Sequence, residues 1–223
     1  SSVSMVRCGI IACTARYNVG VYSFFAALVV TECTFSDLEA EVHGGALSCF
    51  GSFGRLSVFN STVVRCSTAS SSAVLFASSG STTTLTDLVV RNCSSRESSA
   101  VRVFGSSTVY MVGVSFTGCR GVSGGAIHSE GTAELTNVTI ASCTAAESGG
   151  AIYQSSGILR VRRCAITGCV ANQLSVDDEF GGGALHWQRP GRLPGIADFR
   201  VLCPKWWSLL LVWRSDPGLA FGR

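Results

Sequence analysis

GGAIHSEGTAELTNVTIASC, residues 124–143, and GGAIYQSSGILRVRRCAITGC, residues 149–169, are two copies of one pattern. Each copy begins with small residues and an Ala followed by an aliphatic residue. A corner rich in Gly or Ser comes next, then two alternating apolar pairs, and then a Cys. The rest of the chain repeats this pattern with variations, and self-similarity at a fixed period is the signature of a repeat architecture.

The period is visible in columns of equivalent residues, which recur at steps of 24 to 28 positions. The Cys column consists of Cys13, Leu38, Cys66, Cys93, Cys119, Cys143 and Cys169. Three residues upstream lies an apolar column of Ile10, Phe35, Val63, Val90, Phe116, Ile140 and Ile166. We assign to an Ala column Val21, Ala46, Ala73, Ala100, Ala126, Ala151 and Ala184. The aliphatic column after it consists of Tyr22, Leu47, Val74, Val101, Ile127, Ile152 and Leu185.

Within each unit the apolar residues alternate, as in Leu159-x-Val161 and Val114-x-Phe116, which is the period of a strand rather than a helix. Val, Thr, Ile and Phe dominate these pairs, and Gly and Ser fill the corners. The sequence therefore predicts an all-β fold, a parallel β-helix of about seven coils with three short strands per coil. It covers residues 1–187, and residues 188–223 form a degraded coil and an irregular tail or cap.

Composition limits the function classes. Of the 223 residues, 47% are hydrophobic and 14% charged, which fits a solenoid lined with apolar residues on every side. The formal net charge of +3 is too small and scattered to indicate nucleic-acid binding. The longest apolar run, residues 206–213, is far shorter than the roughly 20 residues of a membrane-spanning helix. We therefore expect no nucleic-acid partner and no transmembrane segment in this chain.

Four tetrapeptides carry a family resemblance: GGAL at 44–47 and 182–185, and GGAI at 124–127 and 149–152. They resemble the GGA[ILV] motif of the chlamydial polymorphic outer membrane protein repeats, although Cys here takes the place of the Asn in the accompanying FxxN motif. The resemblance implies a right-handed parallel β-helix of the pectin-lyase-like kind. It also implies a secreted or surface-displayed, adhesive role, so we expect an extracellular or cell-surface location.

The Cys column has two interpretations. Stacked coils lie about 4.8 Å apart, and this distance falls within the range of Cα–Cα distances that a disulfide allows. Cys13, Cys66, Cys93, Cys119, Cys143 and Cys169 would then form coil-to-coil disulfides in an oxidising compartment. Alternatively they form a ladder of buried thiols, which we favour because parallel in-register side chains give poor disulfide torsions. The spacings of zinc sites are absent, and we expect no metal site and no cofactor.

The outward position of the first strand is predicted to hold Ser23, Ser48, Leu75, Arg102, His128, Tyr153 and His186. From Arg102 onward this would be a ridge of polar and aromatic residues, and it is our candidate binding surface. Polysaccharide hydrolysis needs paired carboxylates, but the ridge has no Asp and only Glu130 nearby, so we assign no catalytic residue. Asp177, Asp178 and Glu179 cluster in an expanded corner, where solvation is favoured over a weak Ca²⁺ site.

Asn60, Asn92 and Asn137 begin Asn-x-Ser/Thr triplets, which are N-glycosylation acceptors in a eukaryotic secretory setting. The first thirteen residues align with the last two strands of a unit, so we expect the chain to be a fragment or processed piece of a longer solenoid.

The leading hypothesis is a non-enzymatic, surface-exposed or secreted β-helix that acts as an adhesin or stalk and binds a glycan or a host or cell-surface ligand. The alternatives are a carbohydrate-active β-helix enzyme, either a polysaccharide lyase or a glycoside hydrolase, and a spacer without a binding role. The sequence does not indicate the oligomeric state.

Overall fold

The computed structural model describes residues 2–172, 185–187 and 199–202. These residues form a parallel β-solenoid of about seven coils, in which strands from successive coils pair to build four sheets, A to D. Every recorded pairing between strands is parallel, and each coil passes through sheets A, B, C and D in that order. The predicted parallel β-helix is therefore confirmed.

The strands are numbered along the chain. Sheet A contains β1 (Ser2–Val6), β5 (Ala27–Thr31), β9 (Arg55–Phe59), β13 (Thr82–Thr86), β17 (Thr108–Val112), β21 (Thr132–Thr136) and β25 (Ile158–Arg162). Sheet B contains β2 (Gly9–Ile11), β6 (Thr34–Ser36), β10 (Thr62–Val64), β14 (Val89–Arg91), β18 (Ser115–Thr117), β22 (Thr139–Ala141), β26 (Cys164–Thr167) and β29 (Phe199–Leu202). Sheet C contains β3 (Thr14–Ala15), β7 (Glu39–Ala40), β11 (Ser67–Thr68), β15 (Ser94–Ser95), β19 (Arg120–Ser123), β23 (Thr144–Ser148) and β27 (Val170–Ala171). Sheet D contains β4 (Val21–Phe24), β8 (Leu47–Phe50), β12 (Ser72–Ser78), β16 (Ser99–Val103), β20 (Ile127–Ser129), β24 (Ile152–Gln154) and β28 (Leu185–Trp187).

The core is built from columns of alternate residues that point into the solenoid. In sheet A one of the two buried columns consists of Val30, Val58, Leu85, Met111, Leu135 and Val161. In sheet B the predicted apolar column is confirmed, and its buried members are Phe35, Val63, Val90, Phe116, Ile140 and Ile166. Branched and aromatic side chains suit these pleated positions, and their burial supplies the main stabilising term.

The Gly-Gly-Ala motif marks a place where successive coils approach closely. A Cβ on Gly125 would lie 2.2 Å from the carbonyl oxygen of Gly150, and one on Gly45 would lie 2.3 Å from that of Ala73. Only glycine fits such an approach without moving the backbone. At these two positions the close approach of the coils accounts for the Gly of the motif that carried the family resemblance.

Each complete coil has four strands rather than the predicted three. The additional strand lies in sheet C directly after the Cys column, and it is often only two residues long, as in Ser67–Thr68. Backbone hydrogen bonds join this strand to its neighbours in successive coils. The Ser67 N–H donates to the Leu38 carbonyl at 2.7 Å, and the Ser94 N–H donates to the Cys66 carbonyl at 3.0 Å. Because two residues cannot show an alternating apolar pair, periodicity did not reveal it.

The predicted register is wrong in two coils of sheet D. Val21 pairs with Leu47, so Gly20 rather than Val21 occupies the Ala column, and Tyr22 rather than Ser23 faces outward. In β12 an extra residue between Ser72 and Leu75 forms a bulge.

The bulge places Leu75, rather than Val74, opposite Leu47 and Val101. A shift of one residue moves side chains to the other face of a strand, so Leu75 is buried and Phe76 takes the outward position.

In the described part of the chain no helix is long and apolar enough to cross a membrane. Within residues 188–223 the structure describes only β29, which extends sheet B by pairing with β26.

Candidate functional site

The outer face of sheet D carries the predicted binding ridge. Arg102, His128 and Tyr153 occupy equivalent positions on β16, β20 and β24, and the backbone of His186 pairs with Tyr153. We call these four residues the polar ridge. The structure confirms that they stand in register on successive coils, and it describes the side chains of the first three.

Two contacts join neighbouring coils along the ridge. The Arg102 Nη2 donates to Glu130 Oε1 at 3.0 Å, and both side chains are about three-quarters buried. The His128 and Tyr153 rings meet edge to face, with centroids 4.9 Å apart. Such pairs contribute about 0.5–1.5 kcal/mol beyond burial, so the ridge is held in one arrangement.

His128 is neutral at physiological pH. Burial, together with the positive charge of Arg102, lowers the pKa of its imidazole from 6.5 to about 4. Its Nδ1 shares a hydrogen bond with Ser98 Oγ at 3.3 Å. The Nε2 lies 3.8 Å from Glu130 Oε1, and with an uncharged ring this contact is not an ion pair.

Arg102 is not fully satisfied by its surroundings. Its Nε is buried and has no hydrogen-bond partner among the described residues. Its guanidinium carbon lies 5.2 Å from the centroid of the Phe104 ring, a cation–π contact. The side chain is therefore fixed between Glu130 and Phe104.

A second feature of this face, the aromatic cluster, was not predicted. It lies on the N-terminal half of sheet D and its flanking corners and consists of Tyr17, Tyr22, Phe24, Phe25, His43, Phe50, Phe76 and Phe104. His43 stacks on Phe76 with centroids 5.3 Å apart, and Phe24 meets Phe25 edge to face at 4.5 Å. The spacing of Phe24 and Phe50 by one repeat was the available signal, but the wrong register concealed it.

The Cys column stacks as predicted, one residue per coil. Backbone hydrogen bonds link the members from Cys13 to Cys143 to the next coil, as from Thr144 N–H to Cys119 O at 2.9 Å. Cys13 is exposed, whereas Cys66, Cys93, Cys119, Cys143 and Cys169 are buried. A hydrogen bond with Cys119, aided by burial, raises the pKa of the Cys143 thiol to about 12. Five of the six members are buried, as the thiol-ladder interpretation requires, and the choice between thiols and disulfides stays a prediction.

The three candidate glycosylation residues occupy one kind of place. Asn60, Asn92 and Asn137 are exposed and lie at corners between strands, with φ of 46°, 52° and 54°. Asn tolerates this left-handed conformation better than most residues, which gives each a backbone role. Glycosylation at these positions stays a prediction.

The remaining predictions concern the acidic corner and metal binding. Asp177, Asp178 and Glu179 lie outside the described residues. Within the described part of the chain, no three His, Cys, Asp or Glu side chains are grouped so that they could hold a metal ion.

No protein-family model matches the chain, and no curated protein matches it.

Proposed function

We propose that this protein is a non-enzymatic, surface-exposed or secreted β-solenoid that presents the outer face of sheet D to a ligand, in the manner of an adhesin. The observation that carries this proposal is the polar ridge, which repeats on successive coils and is fixed by contacts between them. The Gly-Gly-Ala tetrapeptides support a finer proposal, that the solenoid is right-handed, pectin-lyase-like and related to the polymorphic outer membrane protein repeats.

The chemistry of the ridge favours a saccharide of a cell surface as the ligand. Sugar hydroxyls both donate and accept hydrogen bonds, and Arg102 with Glu130 offers donors beside an acceptor. The Tyr153 and His128 rings supply apolar edges next to this pair. A neutral His128 adds no charge, so neutral and weakly acidic saccharides are both compatible with the site.

Binding to a glycan array and to whole cells tests the proposal, with Arg102→Ala as the variant. We expect a loss of affinity of about tenfold or more, since a buried charged partner is removed. Arg160→Ala is the matched control. Arg160 also forms a salt bridge with a Glu of the neighbouring coil, Glu134, but this pair lies on sheet A. Equal binding by Arg102→Ala and wild type would contradict the proposed site, and blank arrays and cells would indicate a spacer.

A carbohydrate-active enzyme is the second candidate, favoured by the largely buried Glu130 carboxylate close to a neutral imidazole. Against it, glycoside hydrolysis uses two carboxylates, and the strands of sheet D contain no Asp or Glu. Assays against acidic and neutral polysaccharides separate the two candidates. Turnover that His128→Ala abolishes would establish the enzyme and overturn the proposal above.

A further inference from the structure

An exposed thiol lies beside a buried one at the corner between sheets A and B. Cys8 comes between β1 and β2 and is exposed, and Cys33 comes between β5 and β6 in the next coil and is buried. Because β1 pairs with β5 and β2 with β6, the two cysteines hold the same position in adjacent coils. We propose that Cys8 and Cys33 form a thiol–disulfide exchange site, which reacts with a small-molecule disulfide and becomes a disulfide clamp between the first two coils.

The contacts of Cys33 bring its sulfur to the first coil. The Cys8 N–H donates to Cys33 Sγ at 3.4 Å, and the same sulfur lies 3.6 Å from the Met5 carbonyl oxygen. The Thr34 N–H donates to the Cys8 carbonyl at 2.9 Å, which joins the two backbones at this corner. Adjacent parallel strands lie about 4.8 Å apart, within the range of Cα–Cα distances that a disulfide allows. The backbone spacing therefore permits a bond between the two sulfurs.

One side chain has to turn for this bond to form. Each thiol now donates to the carbonyl two residues before it, Cys8 to Val6 and Cys33 to Thr31, both at 3.2 Å. The two side chains thus have the same orientation, which gives poor disulfide torsions. Cys33 is 1% exposed and held in place, whereas the exposed Cys8 side chain has room to adopt another rotamer. The pair therefore combines an accessible thiol that can rotate with a second thiol fixed beside it.

Among the ten described cysteines, Cys8 alone is an exposed thiol with a thiol at its position in the next coil. Cys13 is also exposed, but Thr14 pairs with Glu39, so the next coil places Leu38 at the position of Cys13. The other eight cysteines are buried, so a reagent in solution does not reach them directly. Exchange with a small molecule is therefore expected to start at Cys8 when it ends in a bond between coils.

The exchange takes place in two balanced steps. Cys8, as its thiolate, attacks one sulfur of the disulfide RSSR, which forms a mixed disulfide and releases one RS⁻. Cys33, as its thiolate, then attacks the Cys8 sulfur, which forms the Cys8–Cys33 bond and releases the second RS⁻. The two cysteines are oxidised, RSSR is reduced to two RSH, and the two cysteine protons pass to the released thiolates.

Peptide mass spectrometry of the full chain, reduced and then treated with oxidised glutathione, tests the proposal. We expect a linked pair of peptides that contain Cys8 and Cys33. Cys13 is the internal control, and it is expected to keep a glutathione adduct because no thiol of the next coil displaces it. If Cys8 keeps the adduct in the same way, does not react, or links to Cys13, the proposal is overturned.

Cys33→Ser is the matched variant. Serine suits this position, since Ser61 holds it one coil further along and bonds the Cys33 N–H at 3.0 Å. In this variant Cys8 is expected to keep the glutathione adduct, as Cys13 does, because the second step is blocked. Loss of the adduct from Cys8 despite the substitution would show that another group displaces it and would overturn the role of Cys33.

Hydrogen exchange measures the effect of the clamp on the solenoid. Cys8 and Cys33 lie 25 positions apart, and a bond between them opposes separation of the first coil from the second. Amides of β1 and β2 are expected to exchange about tenfold or more slowly after oxidation of the wild type. Cys8→Ser should show no such change, and an unchanged rate in the linked wild type overturns the proposed clamp.

Discussion

At the scale of single residues, the corners of the solenoid require the left-handed conformation. Two positions have positive φ in every coil, one before sheet B and one after it, and other corners add further residues in single coils. The first set consists of Arg7, Glu32, Asn60, Asp87, Gly113, Asn137 and Arg163. The second consists of Ala12, Asp37, Arg65, Asn92, Gly118, Ser142 and Gly168. A residue with a Cβ pays about 1–2 kcal/mol in this conformation, less for Asn and Asp, so stability depends on which residue occupies each corner.

Ser142→Gly is therefore expected to stabilise the protein by about 1 kcal/mol, because φ at Ser142 is 53°. Gly168 has the same place in the next coil with φ of 61°, and its nearest neighbour would lie at an ordinary contact distance of 3.7 Å from a new Cβ. Gly168→Ala is expected to destabilise by a similar amount through the backbone alone. Urea unfolding measures the change in the free energy of unfolding for both variants. If both variants were stabilised, or both destabilised, the explanation would be contradicted.

The buried His128 makes stability depend on pH. Its pKa is lowered from 6.5 to about 4, so the unfolded chain binds the proton at a pH where the folded protein does not. Above pH 6.5 the ring is neutral in both the folded and the unfolded protein, and the free energy of unfolding has its full value. It falls by up to about 3 kcal/mol as the pH drops toward 4.

His128→Gln should remove most of this loss, so the stability curves of variant and wild type should converge as the pH falls through this window. Parallel curves would show that another group is responsible.

At the scale of the strand, the methionines of sheet A offer a matched comparison. Met111 and Met5 belong to one inward column, but Met111 is fully buried and Met5 only partly. Met111→Ala is expected to cost about 2–5 kcal/mol, from lost burial and the cavity left behind. Met5→Ala should cost clearly less, and the difference in urea midpoint between the two variants measures the effect. A larger cost at Met5 would contradict the inward register of β1.

The strands also show what the sequence could and could not predict. Alternation such as Leu159-x-Val161 identified the long strands, and the apolar and Cys columns aligned the coils correctly from Cys13 to Cys169. The two-residue strands of sheet C leave no periodic signal. The bulge at β12 and the close approach at Gly20 depend on contacts between coils, which one sequence does not display.

The same register errors limited how much of the candidate site could be predicted. Arg102, His128 and Tyr153 were found because their coils are regular, whereas the aromatic cluster was missed because Tyr22 and Phe76 were assigned to the wrong positions. A correct register would have placed four aromatic residues on the outer face of sheet D.

At the scale of the whole molecule, the thiols report on the integrity of the solenoid. Of the ten cysteines described, Cys8 and Cys13 are exposed and eight are buried. Burial raises the pKa of thiols such as Cys49 and Cys164 and prevents access of reagent.

We expect iodoacetamide to modify Cys8 and Cys13 quickly in the native protein and the eight buried thiols only on unfolding, with mass spectrometry of peptides as the measurement. A mass lower by two hydrogens per cysteine pair would instead demonstrate coil-to-coil disulfides.

The bulge in β12 has a consequence for how such a surface could arise or disappear. Without the additional residue, Phe76 would turn into the interior and Leu75 would replace it outside, which would divide the rings of Tyr22 and Phe50 from Phe104. One inserted or deleted codon in a single coil thus connects or separates the exposed rings of the aromatic cluster. In a protein built from near-identical units, variation in length rather than in residue type becomes a short route to a new partner.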